Sequence, residues 1–272
     1  MKLKALAAAG AAAIGLAIPA SAGATTLIGS GSVAAQPVLT ALFDKYENLH
    51  KDIKFVYTAN GGNAGVQDVQ NGTSQFAGQA RSPLPSDAGT TYVKMYLDGL
   101  CMDVHPSNKL KNITIDDTAR IYHAEVTSWA DIPGGNLTST IDPVGRDTNG
   151  GTYNFFLQAV LNNIAPATNV NALTSDGLVV NAVKRDPDAI GYAGLAWQGK
   201  GLSALTVNGV PCAPKQVKSQ KYPLSRYIFI VLPTDNPNPD VTTFIDWART
   251  SKAAGKIINK AGGVATFNKG FR

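Results

Sequence analysis

The chain has 272 residues, of which 44% are hydrophobic and 16% charged, and its formal net charge is +5. This composition is typical of a globular protein and excludes fibrous and intrinsically disordered classes. The basic residues are few and scattered, whereas a nucleic-acid-binding protein concentrates them on one face. We therefore expect small anions, and not nucleic acid, as partners.

Residues 1–22 have the pattern of a secretory signal peptide. Two lysines precede an apolar run over residues 5–18, and Ala20 and Ala22 fit the small-residue cleavage site. The run is too short for a permanent anchor, and no later segment is long and apolar enough to cross a membrane. We expect cleavage after Ala22 and a periplasmic location, with the protein not embedded in the membrane.

Cys101 and Cys212 are the two cysteines of the chain. An exported protein meets an oxidising compartment, which favours a disulfide between them. Spacing alone does not place their Cα atoms within bonding distance, so two separately buried thiols remain the alternative. The histidines are dispersed and show no ligand spacing with the cysteines, so we expect neither a metal ion nor another cofactor.

Short β-prone runs alternate with amphipathic helical segments. In chain order, the predicted strands cover residues 25–28, 53–57, 75–79, 100–104, 189–193 and 227–232. The predicted helices cover residues 37–50, 64–71, 115–122, 152–162, 175–184, 241–250 and 251–260. This alternation is typical of βαβ units and a largely parallel sheet, in which ligands bind at the carboxyl ends of strands.

Three glycine-rich segments, at residues 29–32, 60–65 and 146–152, each precede a predicted helix. A helix start leaves N–H groups without partners and carries a partial positive charge, and glycine lets that backbone approach a ligand closely. Arg146 adds a planar fork that matches two oxygens of a tetrahedral anion. One helix end contributes roughly 0.3 to 2 kcal/mol, whereas micromolar binding needs about 8 kcal/mol. We therefore expect the three segments to converge on one oxyanion.

Each of these features also has a purely structural interpretation. The glycine segments could be ordinary tight turns, and Arg146 could form a surface ion pair with Asp147 or another carboxylate. Ser32 and Thr152 are equally ordinary helix N-caps. The convergence of three such segments, one of which begins with arginine, favours the binding interpretation.

Catalytic motifs are absent from the sequence. It contains no nucleophile elbow, phosphate-binding loop of nucleotide hydrolases, dinucleotide fingerprint or zinc-protease motif. Because catalytic triads assemble from distant positions, this absence is weak evidence. It nevertheless leaves no positive signal for an enzyme.

Over nearly the whole mature length, the chain resembles the periplasmic phosphate-binding proteins of phosphate ABC transporters, which are type 2 solute-binding proteins. The similar segments, in chain order, lie at residues 29–37, 60–66, 146–152, 189–195, 222–226 and 244–248. The resemblance implies an α/β fold of two lobes, each a mostly parallel sheet flanked by helices, with the ligand in the cleft. We place lobe one at residues 23–97 plus 223–272 and lobe two at residues 98–222.

Carried over by position, the resemblance implies a set of ligand-binding residues. They are Ser32, Val33, Gly62, Asn63, Arg81, Arg146, Asn149, Gly150, Gly151 and Thr152. Gly62 and Gly150 replace family serines, so two hydroxyl donors are lost unless Asn63 or Asn149 replaces them. The family has an aspartate that accepts a hydrogen bond from protonated phosphate, and its position falls on Arg81, or at best on Ser82, in this sequence. Sulfate has no such proton, so selectivity between phosphate, sulfate and other oxyanions stays open.

The predicted function is that of an extracytoplasmic solute-binding protein, not an enzyme. We expect it to capture inorganic phosphate or a related tetrahedral oxyanion as a monomer and to deliver it to an ABC permease. One alternative is an adhesin or interaction protein that keeps the fold without transport, which the substitutions at residues 62, 81 and 150 favour. The other is an exported phosphate-handling enzyme, which the lack of metal ligands disfavours.

Overall fold

The computed structural model describes residues 23–199 and 201–266, so the predicted signal peptide lies outside the described residues. The strands are β1 (Thr25–Gly31), β2 (Ile53–Thr58), β3 (Phe76–Gln79), β4 (Thr90–Val104), β5 (Asn112–Ile113), β6 (Asp142–Arg146), β7 (Asn171–Leu173), β8 (Ala189–Gly194), β9 (Ser203–Ala204), β10 (Thr206–Val207), β11 (Val210–Pro211) and β12 (Ser225–Pro233). The helices are α1 (Gln36–Leu49), α2 (Gly62–Gln70), α3 (Ile115–Tyr122), α4 (Gly151–Ala159), α5 (Asp176–Arg185), α6 (Pro214–Lys218), α7 (Pro239–Thr250) and α8 (Lys252–Lys260).

One large sheet runs through the molecule in the strand order β2-β1-β3-β12-β4-β8-β6-β7, with β9 paired to β4. Its two ends, β2-β1-β3 and β8-β6-β7, are parallel. The strands β12 and β4 between them are antiparallel to their neighbours. A small sheet of β11, β10 and β5 lies apart. The result is the predicted two-lobed α/β fold, with parallel strands in each lobe.

The strand β4 connects the two halves of the sheet. Its residues 90–99 pair with β12, and its residues 100–104 pair with β8. The sequence predicts only the second of these stretches, because Lys94, Asp98 and Gly99 interrupt the apolar pattern of the first. The ladder between β4 and β12 shifts register between Ile228 and Phe229. The lobe boundaries placed at residues 97/98 and 222/223 stay a prediction.

Each half of the sheet carries its own hydrophobic core. In the first core, Phe43 of α1 stacks on Phe55 with ring centroids 4.3 Å apart, and Phe244 of α7 packs against both. In the second core, Phe156 of α4 stacks on Tyr192 of β8 at 3.9 Å. Burial of each large aromatic side chain stabilises the fold by about 1.5 to 3 kcal/mol. Phe43 therefore fixes α1 to the first half of the sheet, and Phe156 fixes α4 to the second half.

The predicted disulfide is present in the structure. Cys101 of β4 is bonded to Cys212, with their Cα atoms 5.5 Å apart. The bond ties the segment that leads from β11 into α6 to the strand shared by both lobes. None of the helices in residues 23–199 and 201–266 combines the length and hydropathy needed to cross a membrane.

The first glycine-rich segment belongs mostly to a strand and not to a turn, because β1 extends through Gly31. Gly29 and Gly31 are required by close packing. A Cβ at Gly29 would lie 2.2 Å from the Phe76 ring, and one at Gly31, whose φ is +116°, would lie 2.4 Å from the Gly78 carbonyl oxygen. Only Ser32 and the residues after it form the turn into α1.

Asp103 is a buried carboxyl group within the second core. Its Oδ2 accepts a hydrogen bond from Gln198 Nε2 at 2.8 Å, and its Oδ1 has no hydrogen-bond partner among the described residues. Burial raises the pKa of Asp103 to about 7, although the hydrogen bond from Gln198 and the charge of Lys184 act in the opposite direction. The folded chain therefore holds this proton more tightly than the unfolded chain, in which an aspartate has a pKa of about 3.9.

We predict that Asp103 makes the protein less stable as the pH rises. The protonated Asp103 carboxyl stabilises the folded state fully below about pH 4, and this stabilisation is lost as the pH rises through 7. The reason is that the folded state binds this proton more tightly than the unfolded state and loses it at high pH. The free energy of unfolding of Asp103→Asn, relative to wild type, should rise by about 2 to 4 kcal/mol between pH 4 and pH 8. Urea unfolding at both pH values measures this; the exposed Asp235→Asn should show no such trend.

Candidate functional site

Ser32 and Val33 form the buried turn between β1 and α1. The Ser32 backbone N–H donates to the Gly78 carbonyl at 2.8 Å, which holds the turn against the end of β3. The Ser32 Oγ accepts a hydrogen bond from the Ala35 N–H at 3.3 Å. The Ser32 oxygen therefore closes the turn before α1, whose N-cap residue is Ala35, and the Ser32 hydroxyl proton can be donated elsewhere.

The second and third glycine-rich segments, which lie at opposite halves of the large sheet, are in direct contact. A Cβ at Gly61, whose φ is +105°, would lie 2.8 Å from the Asn149 carbonyl oxygen. The Asn63 N–H donates to that same oxygen at 3.2 Å, and Asn63 Nδ2 donates to the Thr148 carbonyl at 3.1 Å. The start of α2 is thus joined across the cleft to the loop that leads into α4.

Gln79, at the carboxyl end of β3, lies between the starts of α2 and α4 and is completely buried. A Cβ at Gly62 would lie 2.2 Å from Gln79 Oε1, and one at Gly151 would lie 1.9 Å from the same atom. Oε1 accepts a hydrogen bond from the Ala80 N–H at 2.8 Å, whereas Nε2 has no partner among the described residues. Both glycines are therefore needed for the two helix starts to approach this carboxamide.

Arg146 is buried at the end of β6, directly below the start of α4. Its Nη1 forms an ion pair with Asp176, and its Nε and Nη2 donate to the carbonyls of Leu173 at 3.1 Å and Thr174 at 2.8 Å. A Cβ at Gly150 would lie 3.0 Å from Arg146 Nη2. The guanidinium is thus fixed by a buried carboxylate, and the residue at position 150 has little room for a side chain.

Arg146 does form an ion pair with a carboxylate, which was the alternative to anion binding, and its partner is Asp176. Asp176 is completely buried in the first turn of α5. Asp147 lies farther away, at 3.9 Å from Nη2. The pair is internal and not a surface contact. Arg146 also lines a cleft of about 540 Å³, together with Val33, Gly61 and Asn149.

Thr152 is buried in the first turn of α4, and its Oγ1 accepts a hydrogen bond from Arg226 Nη1 at 3.1 Å. Arg226 Nε also donates to Asp98 Oδ2 at 2.9 Å. Asp98 and Arg226 are direct cross-strand partners in the ladder between β4 and β12. Arg226 belongs to the segment 222–226, which carries part of the family resemblance, but it is not among the predicted ligand-binding residues.

Arg81 is buried, and its guanidinium points mainly to Asp87. Its Nη1 lies 2.6 Å from Asp87 Oδ2, and its Nε donates to Asn63 Oδ1 at 2.9 Å. Burial alone would raise the pKa of Asp87, but hydrogen bonds from Arg81, the Leu84 N–H and Tyr92 outweigh burial and lower it. Arg81 therefore reaches the cleft through Asn63, which also accepts a hydrogen bond from Asn154 of α4.

Four residues outside the predicted set contact the helix starts or the arginines of the site, namely Gln79, Asp98, Asp176 and Arg226. Gln79 ends a predicted strand and could have been found by the rule that ligands bind at strand ends. The partners of Asp176 and Arg226 are distant in sequence, so no local pattern points to them. Within the described residues, no group of three or more His, Cys, Asp and Glu side chains is placed to hold a metal ion.

Two α/β lobes joined by paired strands, with helix N-termini converging in the cleft between them, define the class of two-lobed solute-binding proteins. The family model described as PBP superfamily domain matches residues 18–252. The chain belongs to this family.

Several named relatives and solved structures are similar to this chain. The phosphate-binding protein PstS of Borreliella burgdorferi is 26% identical over 245 residues, which cover 85% of this chain and 87% of that protein. Protein SphX of Synechococcus elongatus is 26% identical over 89% of this chain and 78% of its own length. A putative phosphate ABC transporter substrate-binding protein with bound phosphate from Clostridium perfringens has the same fold, with a TM-score of 0.84 at 24% identity over 89% of this chain and all of that one.

We predict that Asp87→Asn strongly destabilises the protein. The substitution leaves the buried Arg81 guanidinium without its counter-charge, which costs about 3 to 5 kcal/mol when one partner of a buried pair is removed. Urea unfolding at pH 7 measures the free energy of unfolding. The matched control is Asp44→Asn on the exposed side of α1, for which the change should stay within about 0.5 kcal/mol. Equal stability of the two variants would contradict the prediction.

Proposed function

We propose that this protein captures inorganic phosphate, or a closely related tetrahedral oxyanion, in the cleft between its lobes. The observation that carries the proposal is the meeting of two helix starts, at Gly62 and Gly151, around the buried Gln79 carboxamide. The neighbouring Gly150 lies against Arg146. Helix N-termini present N–H groups and partial positive charge, which together favour an anion. The family membership and the phosphate-binding relatives support the same ligand class.

In this proposal, the anion is held by side-chain donors and unpaired backbone N–H groups at the starts of α1, α2 and α4. The N–H groups of Ser32, Asn63 and Gly150 already donate to carbonyls of the protein, so these residues would contribute through a side chain or through contact alone. The contributing residues are Ser32, Val33, Gly62, Asn63, Asn149, Gly150, Gly151 and Thr152, with Arg146 below them and Arg81 acting through Asn63. A hydrogen bond to a charged group contributes about 1.5 to 3 kcal/mol, and micromolar affinity needs about 8 kcal/mol. Several of these donors must therefore act together, which requires the lobes to be closed.

The cleft would open and close by movement of residues 23–97 plus 223–272 against residues 98–222. Contacts of Asn63 with Thr148, Asn149 and Asn154 support a closed state that is held from both sides. Closure excludes water and creates a surface that differs between the empty and loaded protein. We propose that an ABC permease reads this surface, and that the protein acts as an extracytoplasmic monomer without catalysis.

Titration calorimetry with phosphate, sulfate, arsenate, molybdate and tungstate tests the proposal. We expect heat of binding with phosphate, and at least about tenfold weaker binding for Arg146→Lys, because lysine lacks the planar fork that Asp176 and two carbonyls now orient. Thr152→Val, which removes a hydroxyl without removing a buried charge, provides a second variant.

The matched control is Arg120→Lys, because Arg120 is half-exposed and pairs only with Asp117 of its own helix among the contacts described. It should bind phosphate as the wild type does. Thermal unfolding of each variant shows whether the fold is retained. If a correctly folded wild type gives no heat with any of the five anions, the proposed function is wrong.

A further inference from the structure

We infer that the Gln79 carboxamide decides which anions the cleft accepts, and that it lets the site bind protonated and fully deprotonated tetrahedral anions alike. The inference rests on the proposed function. It concerns the selectivity of that site: phosphate near neutral pH carries a proton, whereas sulfate carries none. A site governed by Gln79 should bind both anions with comparable affinity.

The position of Gln79 supports this role. Its Oε1 lies so close to the starts of α2 and α4 that a Cβ at Gly62 or Gly151 would collide with it. The carboxamide thus occupies the room that a side chain at position 62 would fill. An anion held by these two helix starts must lie against it or displace it.

The unpaired nitrogen of Gln79 supports the same role. Gln79 Nε2 is buried and has no hydrogen-bond partner among the described residues. Leaving a buried donor unpaired is costly, and a polar group in that state marks a position where a partner is missing. A Cβ at Gly62 would lie 3.0 Å from Nε2, so an oxyanion at the start of α2 would supply this partner.

The buried carboxylates around the cleft each form an ion pair with an arginine. Three buried ion pairs surround the site, namely Asp87 with Arg81, Asp98 with Arg226 and Asp176 with Arg146. Asp147, the remaining acid of the Arg146 loop, is partly exposed and lies 3.9 Å from Arg146 Nη2. Gln79 is therefore the polar side chain that faces both helix starts, and it is uncharged.

A neutral carboxamide and a carboxylate select anions differently. A carboxylate only accepts hydrogen bonds, so it favours an anion that carries a proton and repels one that does not. A carboxamide has an N–H₂ donor and a carbonyl acceptor, and rotation about its last bond presents either one. Gln79 can therefore accept from the hydroxyl of hydrogen phosphate or donate to an oxygen of sulfate.

Calorimetry at pH 7.5 with phosphate and sulfate tests this inference directly. For the wild type, we expect the two dissociation constants to differ by less than about tenfold. For Gln79→Glu, we expect sulfate binding to weaken by at least about a hundredfold, while phosphate binding changes by less than about tenfold. The matched control, Gln67→Glu on the exposed face of α2, adds the same charge and should leave the ratio unchanged.

Gln79→Leu provides a second variant in case a buried glutamate prevents folding. It removes both the donor and the acceptor, so it should weaken phosphate and sulfate by similar factors. A wild type that binds phosphate more than about a hundredfold tighter than sulfate would overturn the inference and leave the proposed function intact. An unchanged anion ratio in Gln79→Glu would also overturn it. Binding of neither anion by folded wild type would overturn the proposed function, and this inference with it.

Discussion

The ion pair between Asp98 and Arg226 is the interaction on which the geometry of the cleft depends. It joins β4 and β12, the two strands that pass between the cores, at a point where both side chains are buried. Burying two charges is costly unless their geometry is good and further hydrogen bonds satisfy them. The Leu195 N–H donates to Asp98, and Thr152 accepts from Arg226, so the pair also fixes the start of α4 relative to the connecting strands.

The other arginines of the cleft follow the same rule. Arg81 and Arg146 are each paired with a buried aspartate, so their charges are largely neutralised before any ligand arrives. In the proposed site, the attraction for an anion would then come chiefly from oriented hydrogen-bond donors and not from net charge. Such donors on the backbone are fixed in place and need little reorganisation when the ligand binds. The small net charge of the chain is consistent with a site of this kind.

The local elements could be predicted from the sequence because their signals are local. The helix predicted over residues 115–122 has those bounds in the structure. The first glycine-rich segment precedes α1, whereas α2 and α4 begin within the second and third segments, at Gly62 and Gly151. The first half of β4 was missed because Asp98 looks unfavourable in a buried strand until its partner, 128 residues away, is known. The roles of Gln79 and Asp176 were missed for the same reason, since they depend on contacts between segments that only the fold brings together.

The continuous ladder between β4 and β12 limits how the two lobes can move. Sliding one strand along the other would break every hydrogen bond between residues 90–99 and 225–233, whereas twisting the pair as a ribbon preserves them. A register shift of the kind found between Ile228 and Phe229 bends and twists a strand locally. In the proposed opening of the cleft, the lobes would therefore rotate with a twist of the β4–β12 pair, and the intact ladder would keep the two strands in the same register.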